Sequence, residues 1–248
     1  MVWGLGCVVF SPRGRSAGVK DFCQSEYFNV SCGIGQVILM EHAFYGRMSG
    51  GRCITGTYGN TGCSQDVLPY MHSRCSAQRS CAVYIAEPTL HRMNPCPLDL
   101  ASYLEADYSC IAVADQARDS DGYTNCRRGH RLELSVSSTA GYVSSESGSC
   151  LWTLQAEEGQ TIQISLLSFG ASSSANREEG CQKVGFIREE LHSQVMQLCV
   201  PTRAQSTSHL ASIVYQSSGS TVTLDMLAPH VLKKTTPFLI KYEEMIYS

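Results

Sequence analysis

The sequence predicts two domains, a small disulfide-framed α+β unit followed by an all-β sandwich. Three observations carry that expectation. Eight cysteines crowd the first half, at 23, 32, 53, 63, 75, 81, 96 and 110. Their even number and irregular spacing suit structural disulfides, although residues alone permit 105 pairings. After Cys126 the chain becomes a series of short segments in which apolar residues alternate, the period-two mark of half-buried antiparallel strands. Between the two lies Ala114-Asp115-Gln116-Ala117-Arg118-Asp119-Ser120-Asp121-Gly122, polar and turn-ending, which reads as a linker. A length of 248 residues accommodates two ordinary domains.

Residues 1–21 are expected to be poorly structured, or a truncated signal region. Val2–Phe10 is apolar like part of a signal-peptide core, but no basic residue precedes it, and Arg13 and Arg15 follow it. The expectation is a truncated or misassigned start. Cys7 is the thiol left over there once eight cysteines are assigned to the first domain and four to the second.

Residues 22–111 form the first domain. Strands are expected at Gln36–Phe44, Ala82–Ile85 and Tyr103–Tyr108. The apolar stretch within Gln36–Arg47 reads as a buried strand ending at Gly46, with Tyr45 and Arg47 at its exit. Between Cys63 and Cys75 the pattern turns helical, with Ser64 as the expected N-cap, Asp66 at the positive end of the dipole, and Val67 and Met71 on one face. A unit of this size needs cross-links to supplement its core.

Residues 112–122 are the linker and residues 123–248 the sandwich, with about eight strands expected. Leu132, Leu134 and Val136 alternate; so do Ile162, Ile164 and Leu166, then Val222, Leu224 and Met226, then Phe238, Ile240 and Tyr242. Glu157-Glu158-Gly159 and Ser217-Ser218-Gly219-Ser220 supply turns. Trp152 is a natural core aromatic, and Glu189–Gln197 is the one segment that suggests a helix.

Composition excludes several functions. A formal charge of −3 gives no basic excess for nucleic acid and no acidic tail. There is no Cys-x-x-Cys for a zinc ribbon or a thioredoxin-type site, and the seven histidines form no His-x-x-x-His pair. No cofactor is expected. No run approaches the roughly 18–20 apolar residues of a membrane-spanning helix. Gly14-Arg15-Ser16-Ala17-Gly18 spells a nucleophile elbow, yet that motif needs a strand before it and a helix after it, and neither is readable here. The cysteine usage implies an oxidising compartment. Asn29-Val30-Ser31 is a glycan acceptor sequence in keeping with secretion.

Phe22 to Cys110 resembles the sea-urchin-egg-lectin type of galactose- or rhamnose-binding lectin domain. All eight cysteines occur in the family's order. Ala43-Phe44-Tyr45-Gly46-Arg47 corresponds to its Ala-Asn-Tyr-Gly-Arg, Asn94-Pro95-Cys96 to its Asp-Pro-Cys, and Tyr103-Leu104-Glu105-Ala106-Asp107-Tyr108-Ser109-Cys110 to its closing Tyr-Leu-x-x-x-Tyr-x-Cys. The resemblance implies Cys23–Cys53, Cys32–Cys110, Cys63–Cys96 and Cys75–Cys81. The second half is similar to a CUB domain in its four cysteines, in Cys150-Leu151-Trp152-Thr153-Leu154, in the Gly159–Phe169 strand and in the Phe238–Tyr242 closing strand. That resemblance implies a jelly roll with Cys126–Cys150 and Cys181–Cys199.

The lectin resemblance also implies a sugar pocket. In the family a glutamate after the first cysteine, an aspartate before Pro-Cys, a lysine before Tyr-Leu and the tyrosine of Tyr-Gly-Arg complete it. Here Gln24, Asn94 and Ser102 take the first three places, and only Tyr45, Gly46 and Arg47 stand unchanged. Two carboxylates and an ammonium are thus replaced by neutral groups. An amide still donates and accepts, but a charge-assisted bond is roughly twice as strong. Each residue also has a plainer reading: Tyr45 and Arg47 as a brace at a strand end, Asn94 as a cap on the turn before Pro95, Gln24 as solvated surface. Some CUB domains bind calcium through an aspartate shortly after the third cysteine. Val184 takes that place here and cannot ligate it, and Glu178, Glu179, Glu189 and Glu190 read as solvated charge. The expected protein is a secreted or extracellular carbohydrate-binding protein rather than an enzyme. Its expected partners are galactose- or rhamnose-like glycans, with protein partners through the CUB-like half. The alternative is an adhesion or receptor-ectodomain fragment whose lectin fold has lost sugar affinity.

Overall fold

Strand β3, Gln36–Arg47, is the longest element of the first unit and the one the others are arranged around. The computed structural model describes residues 18–49, 52–54, 62–97, 100–114, 131–145, 150–170, 181–189, 192–201, 211–227 and 236–245. β3 pairs antiparallel with β6 (Tyr103–Ala112), from Gln36 opposite Ala112 to Gly46 opposite Tyr103. With β1 (Lys20–Phe22) and β4 (Cys63–Asp66) they form a sheet of order β1-β6-β3-β4. β2 (Tyr27–Ser31) and β5 (Ser80–Tyr84) make a separate two-stranded ribbon. Helices α1 (Leu68–Cys75) and α2 (Pro88–Arg92) complete the unit.

A bulge between Met40 and His42 sets which side chains of β3 face inward. An extra residue on one strand shifts the alternation by one from there on. Ile38 and Met40 point into the core before the bulge, and Ala43 and Tyr45 point there after it. Phe44 is left on the outer side, its ring 4.9 Å from that of His42.

Helix α1 starts later than the sequence suggests. Ser64 does not cap it, because pairing with β3 holds Ser64 in β4 opposite Gly46. The N-cap position falls to Val67, which has no side-chain oxygen to offer, and Asp66 just before it accepts from the Leu68 N–H through Oδ1 at 2.8 Å. Four disulfides cross the unit: Cys23–Cys53, Cys32–Cys110, Cys63–Cys96 and Cys75–Cys81.

The second unit is a sandwich with nine strands among the described residues. One sheet has the order β13 (Ala211–Gln216), β10 (Thr161–Ser168), β15 (Phe238–Met245) and β8 (Gly141–Ser144). The other has β12 (His192–Pro201), β11 (Cys181–Glu189), β14 (Thr221–Met226), β9 (Leu151–Gln155) and β7 (Arg131–Ser135). Trp152 is fully buried among Leu154, Ile164, Leu224 and Ile240, so the alternating residues of the sequence do become the shared core. Cys150 and Cys199 each take part in a disulfide. Cys126 and the side chain of Cys181 lie outside the described residues, as do Cys7 and the Ser16 motif up to Ala17.

Two expectations fail here. Glu189–Gln197 is not helical: it spans the end of β11 and the start of β12, and Val195 to Gln197 pair with Arg188 to Phe186. Hydrogen bonding to β11 overrides the helix-favouring residue types, since propensity is the weaker term. Glu189 is not solvated charge either, being only 5% exposed. Burial works against its charge, but Ser218 and Gly219 N–H groups, the Ser218 hydroxyl and the Tyr215 hydroxyl all donate to it and hold its carboxyl below the usual range. It pins the turn between β13 and β14. Glu178, Glu179 and Glu190 lie outside the described residues.

The two units share an apolar seam. Val37, Ala77 and Ile111 of the first meet Leu167, Phe169 and Leu239 of the second in one buried cluster. The Ser144 hydroxyl donates to the Ala77 carbonyl at 3.2 Å, and the Ala114 N–H donates to the Tyr142 carbonyl at 2.7 Å. His72 stacks on Phe169 at this seam, ring centroids 5.2 Å apart. Its Nδ1 lies 2.8 Å from the Ser76 hydroxyl, which accepts from the Met40 N–H.

Burial lowers the His72 pKa from 6.5 to about 4, against a smaller opposing pull from Asp66. A depressed folded pKa means the unfolded chain takes a proton that the folded chain refuses. Stability is therefore full above pH 6.5, falls as pH drops toward 4, and levels off below that. The full loss is about 3 kcal/mol at 1.36 kcal/mol per pKa unit. Urea titrations at pH 7 and pH 4.5 should show that loss in wild type and most of it removed in His72→Phe.

Candidate functional site

The exit of β3 is built by sterics before it is built by chemistry. Gly46 has φ +147°, and a Cβ there would run into the Cys63 carbonyl of β4, so the position requires glycine. Tyr45, one residue earlier, is 0% exposed and faces the core. Its hydroxyl has no hydrogen-bond partner among the described residues, and burial pushes the phenol pKa up. Arg47 is 5% exposed, and its Nη1 donates to the Ala101 carbonyl at 3.4 Å.

Arg47 sits opposite Cys63, and Cys63 is bonded to Cys96. That bridge brings the Asn94-Pro95-Cys96 turn beside the end of β3. Asn94 Oδ1 accepts from the Cys96 N–H at 3.2 Å and from the Ser102 hydroxyl at 3.1 Å. Ser102 is buried next to Ala101, the residue Arg47 holds. Arg47, Asn94 and Ser102 therefore belong to one assembly. Gln24 is exposed in the turn after Cys23, and no side-chain hydrogen bond joins it to that assembly among the described residues.

Two neighbouring contacts were not read from the sequence. Arg52 donates to both carboxylate oxygens of Glu26, at 2.8 and 2.6 Å, and the Cys23 N–H donates to Glu26 at 2.8 Å. The Arg52 guanidinium, then the Cys23 amide, hold the Glu26 carboxyl down at about 2. The Tyr103 hydroxyl accepts from the Ser49 N–H at 3.1 Å, latching the chain beyond Arg47 onto β6. A signal for the first existed. Arg52 and Glu26 flank the two cysteines of the Cys23–Cys53 bridge, so that pairing alone places them together.

The orphan hydroxyl gives a test of Tyr45. Tyr45→Phe removes a buried donor with no partner, and should raise stability by about 1 kcal/mol in urea titration. Tyr45→Ala removes a buried ring and should cost about 3–5 kcal/mol. A loss of stability in Tyr45→Phe would show that the hydroxyl has a partner.

An eight-cysteine α+β unit with a Tyr-Gly-Arg strand exit held against a Pro-Cys turn is similar to lectin-type modules. More particularly, residues 30–110 match the family model of the D-galactoside/L-rhamnose binding SUEL lectin domain. The chain is 30% identical over 115 residues to Latrophilin Cirl of Drosophila pseudoobscura pseudoobscura, which is 44% of this chain and 6% of that protein. It is 34% identical over 97 residues to Latrophilin Cirl of Drosophila ananassae, 37% of this chain and 5% of that protein. The chain thus spans only a small part of these relatives. Among solved structures it is similar to the CUB1-EGF-CUB2 domain of human MASP-1/3, at 12% identity and a TM-score of 0.28, covering 95% of this chain and 97% of that one. A likeness that low carries no weight for the fold, and the sandwich rests on its own strand order. Val184, at the position compared with a calcium-binding aspartate, is fully buried in the sandwich core. No described helix is long and apolar enough to cross a membrane.

Proposed function

We propose that the chain is an extracellular carbohydrate-binding protein, with the sugar site at the end of β3 and the sandwich serving as a CUB-like interaction module. The observation that carries the reading is the assembly of Arg47, Asn94 and Ser102 over the Cys63–Cys96 bridge, within the segment that matches the lectin family. Asn94 and Gln24 provide neutral donors and acceptors, Arg47 provides a cation, and Tyr45 supports the wall from beneath. Galactose- or rhamnose-like glycans suit the site through vicinal hydroxyls that both donate and accept.

Asn94 Oδ1 already accepts two bonds inside the protein, which leaves less for a ligand. That observation favours a second reading, an adhesion module that binds protein partners and has little affinity for simple sugars. A glycan array on the secreted, oxidised chain separates the two. Binding to galactosyl or rhamnosyl glycans that is lost in Asn94→Ala and kept in Gln182→Ala supports the first. No binding to any glycan supports the second and removes the first.

A further inference from the structure

The outer face of the β2–β5 ribbon carries an exposed aromatic pair outside the core clusters of the described residues. Tyr27 and Tyr84 sit directly opposite each other, with ring centroids 4.9 Å apart. They remain 59% and 39% exposed, while Phe28 and Val83 on the inner face are buried. Asn29 follows Tyr27 by two residues and so shares its face, since side chains two apart on a strand point the same way. Across from Asn29 stands Ala82, also exposed. Tyr84 is then the diagonal neighbour of Asn29, at the roughly 7–8 Å typical of such pairs. A small residue opposite and two rings alongside leave a shallow floor next to the amide. The Asn29 side chain makes no hydrogen bond among the described residues and is exposed, as is Ser31 at the end of the sequon. Asn29-Val30-Ser31 is the one Asn-x-Ser/Thr sequence of the chain.

We propose that Asn29 carries an N-linked glycan whose first N-acetylglucosamine packs on the Tyr27–Tyr84 pair, so that the glycan is the occupant of this face. The site rests on the extracellular reading of the chain and is separate from the β3 exit. The attachment is a substitution at the sugar. The amide nitrogen of Asn29 bonds to C1 of the sugar of a polyisoprenyl pyrophosphate-linked oligosaccharide. The C1–oxygen bond breaks, the lipid pyrophosphate leaves with the bonding pair, and the amide loses one proton. Nothing is oxidised or reduced. The first sugar presents axial C–H groups on one face, and these suit the electron-rich faces of the tyrosine rings. The glycan also covers an exposed aromatic pair on a short ribbon, a surface prone to unwanted strand or apolar association.

The test expresses the full chain behind a heterologous signal peptide in cells that make only high-mannose glycans. Peptide mapping should find Asn29 occupied in most molecules. Trimming with endoglycosidase H leaves one N-acetylglucosamine and should keep Tm unchanged, whereas removal with peptide N-glycosidase should lower it by about 2–4 °C. In Tyr84→Ala the trimmed and fully deglycosylated forms should melt together. Secreted protein with Asn29 unoccupied overturns the proposal. So does a Tm unmoved by full removal, or a shift that survives in Tyr84→Ala. Retention of the chain inside the cell overturns it together with the extracellular reading. A glycosylated chain that is silent on the glycan array removes only the sugar-binding reading.

Discussion

Replacing Cys32 and Cys110 together by serine should cost about 4.5 kcal/mol, whereas replacing Cys75 and Cys81 should cost about 2.4 kcal/mol. The difference follows from loop length. The Cys32–Cys110 bridge has a sequence separation of 78, and the Cys75–Cys81 bridge one of 6. A long loop closed in the unfolded chain removes more conformations than a short one, with the logarithm of its length. Position adds to the effect. Cys32 ends the segment after β2 and Cys110 lies in β6 opposite Ile38, so this one bridge fastens the ribbon to the main sheet. In urea titrations the first variant should unfold the first unit at markedly lower denaturant than the second. Equal losses would mean that native-state packing around each bridge, not chain entropy, sets its contribution.

Replacing Phe169 by alanine should separate the unfolding of the two halves. Phe169 is 2% exposed and lies against His72 and the seam cluster of Val37, Ala77 and Ile111. Truncating a buried phenylalanine costs about 3–5 kcal/mol through lost burial and the cavity left behind. Here the lost contacts cross between units, so the loss falls on their coupling. Wild type should give one calorimetric transition, and Phe169→Ala two. Opening the seam also hydrates His72, so its pKa should rise from about 4 toward the ordinary value of 6.5. The acid-induced loss of stability described above should shrink with it. Trp152→Ala is the control, since Trp152 lies inside the sandwich core and its loss should weaken that unit without rehydrating His72. A single transition in Phe169→Ala, merely shifted, would show that the seam does not couple the units.

Much of the architecture could be read because it rests on local regularities. The alternation at Ile162, Ile164 and Leu166, and at Phe238, Ile240 and Tyr242, needs only the period of a strand, and those residues face one core. The helix after Cys63 was legible from Val67 and Met71, but its cap was not, because whether Ser64 is free to cap depends on a strand more than fifteen residues earlier. Glu189 misled for a similar reason. A glutamate in a polar stretch looks solvated until the β13–β14 turn, about thirty residues on, closes over it with four donors. The candidate site divides in the same way. Gly46 is forced by its own backbone and a single neighbouring carbonyl, whereas the Asn94–Ser102 bond depends on how the Cys63–Cys96 bridge folds its loop.

By itself the sequence determined that there are two units, that cysteines secure the first, and that Gln36–Phe44 is a buried strand. Those features follow from composition, spacing and the period of two. The expected stop at Gly46 was wrong, since pairing with Ser64 and Tyr103 carries β3 on to Arg47. The tertiary structure alone decided which face of β3 each side chain takes. Carrying the inward phase of Ile38 and Met40 forward by twos would place Phe44 inside and Tyr45 outside. The bulge before His42 adds one residue without a partner on β6, reverses the phase, and turns Tyr45 inward and Phe44 outward. A bulge is a property of two paired strands, and no period within one strand encodes it.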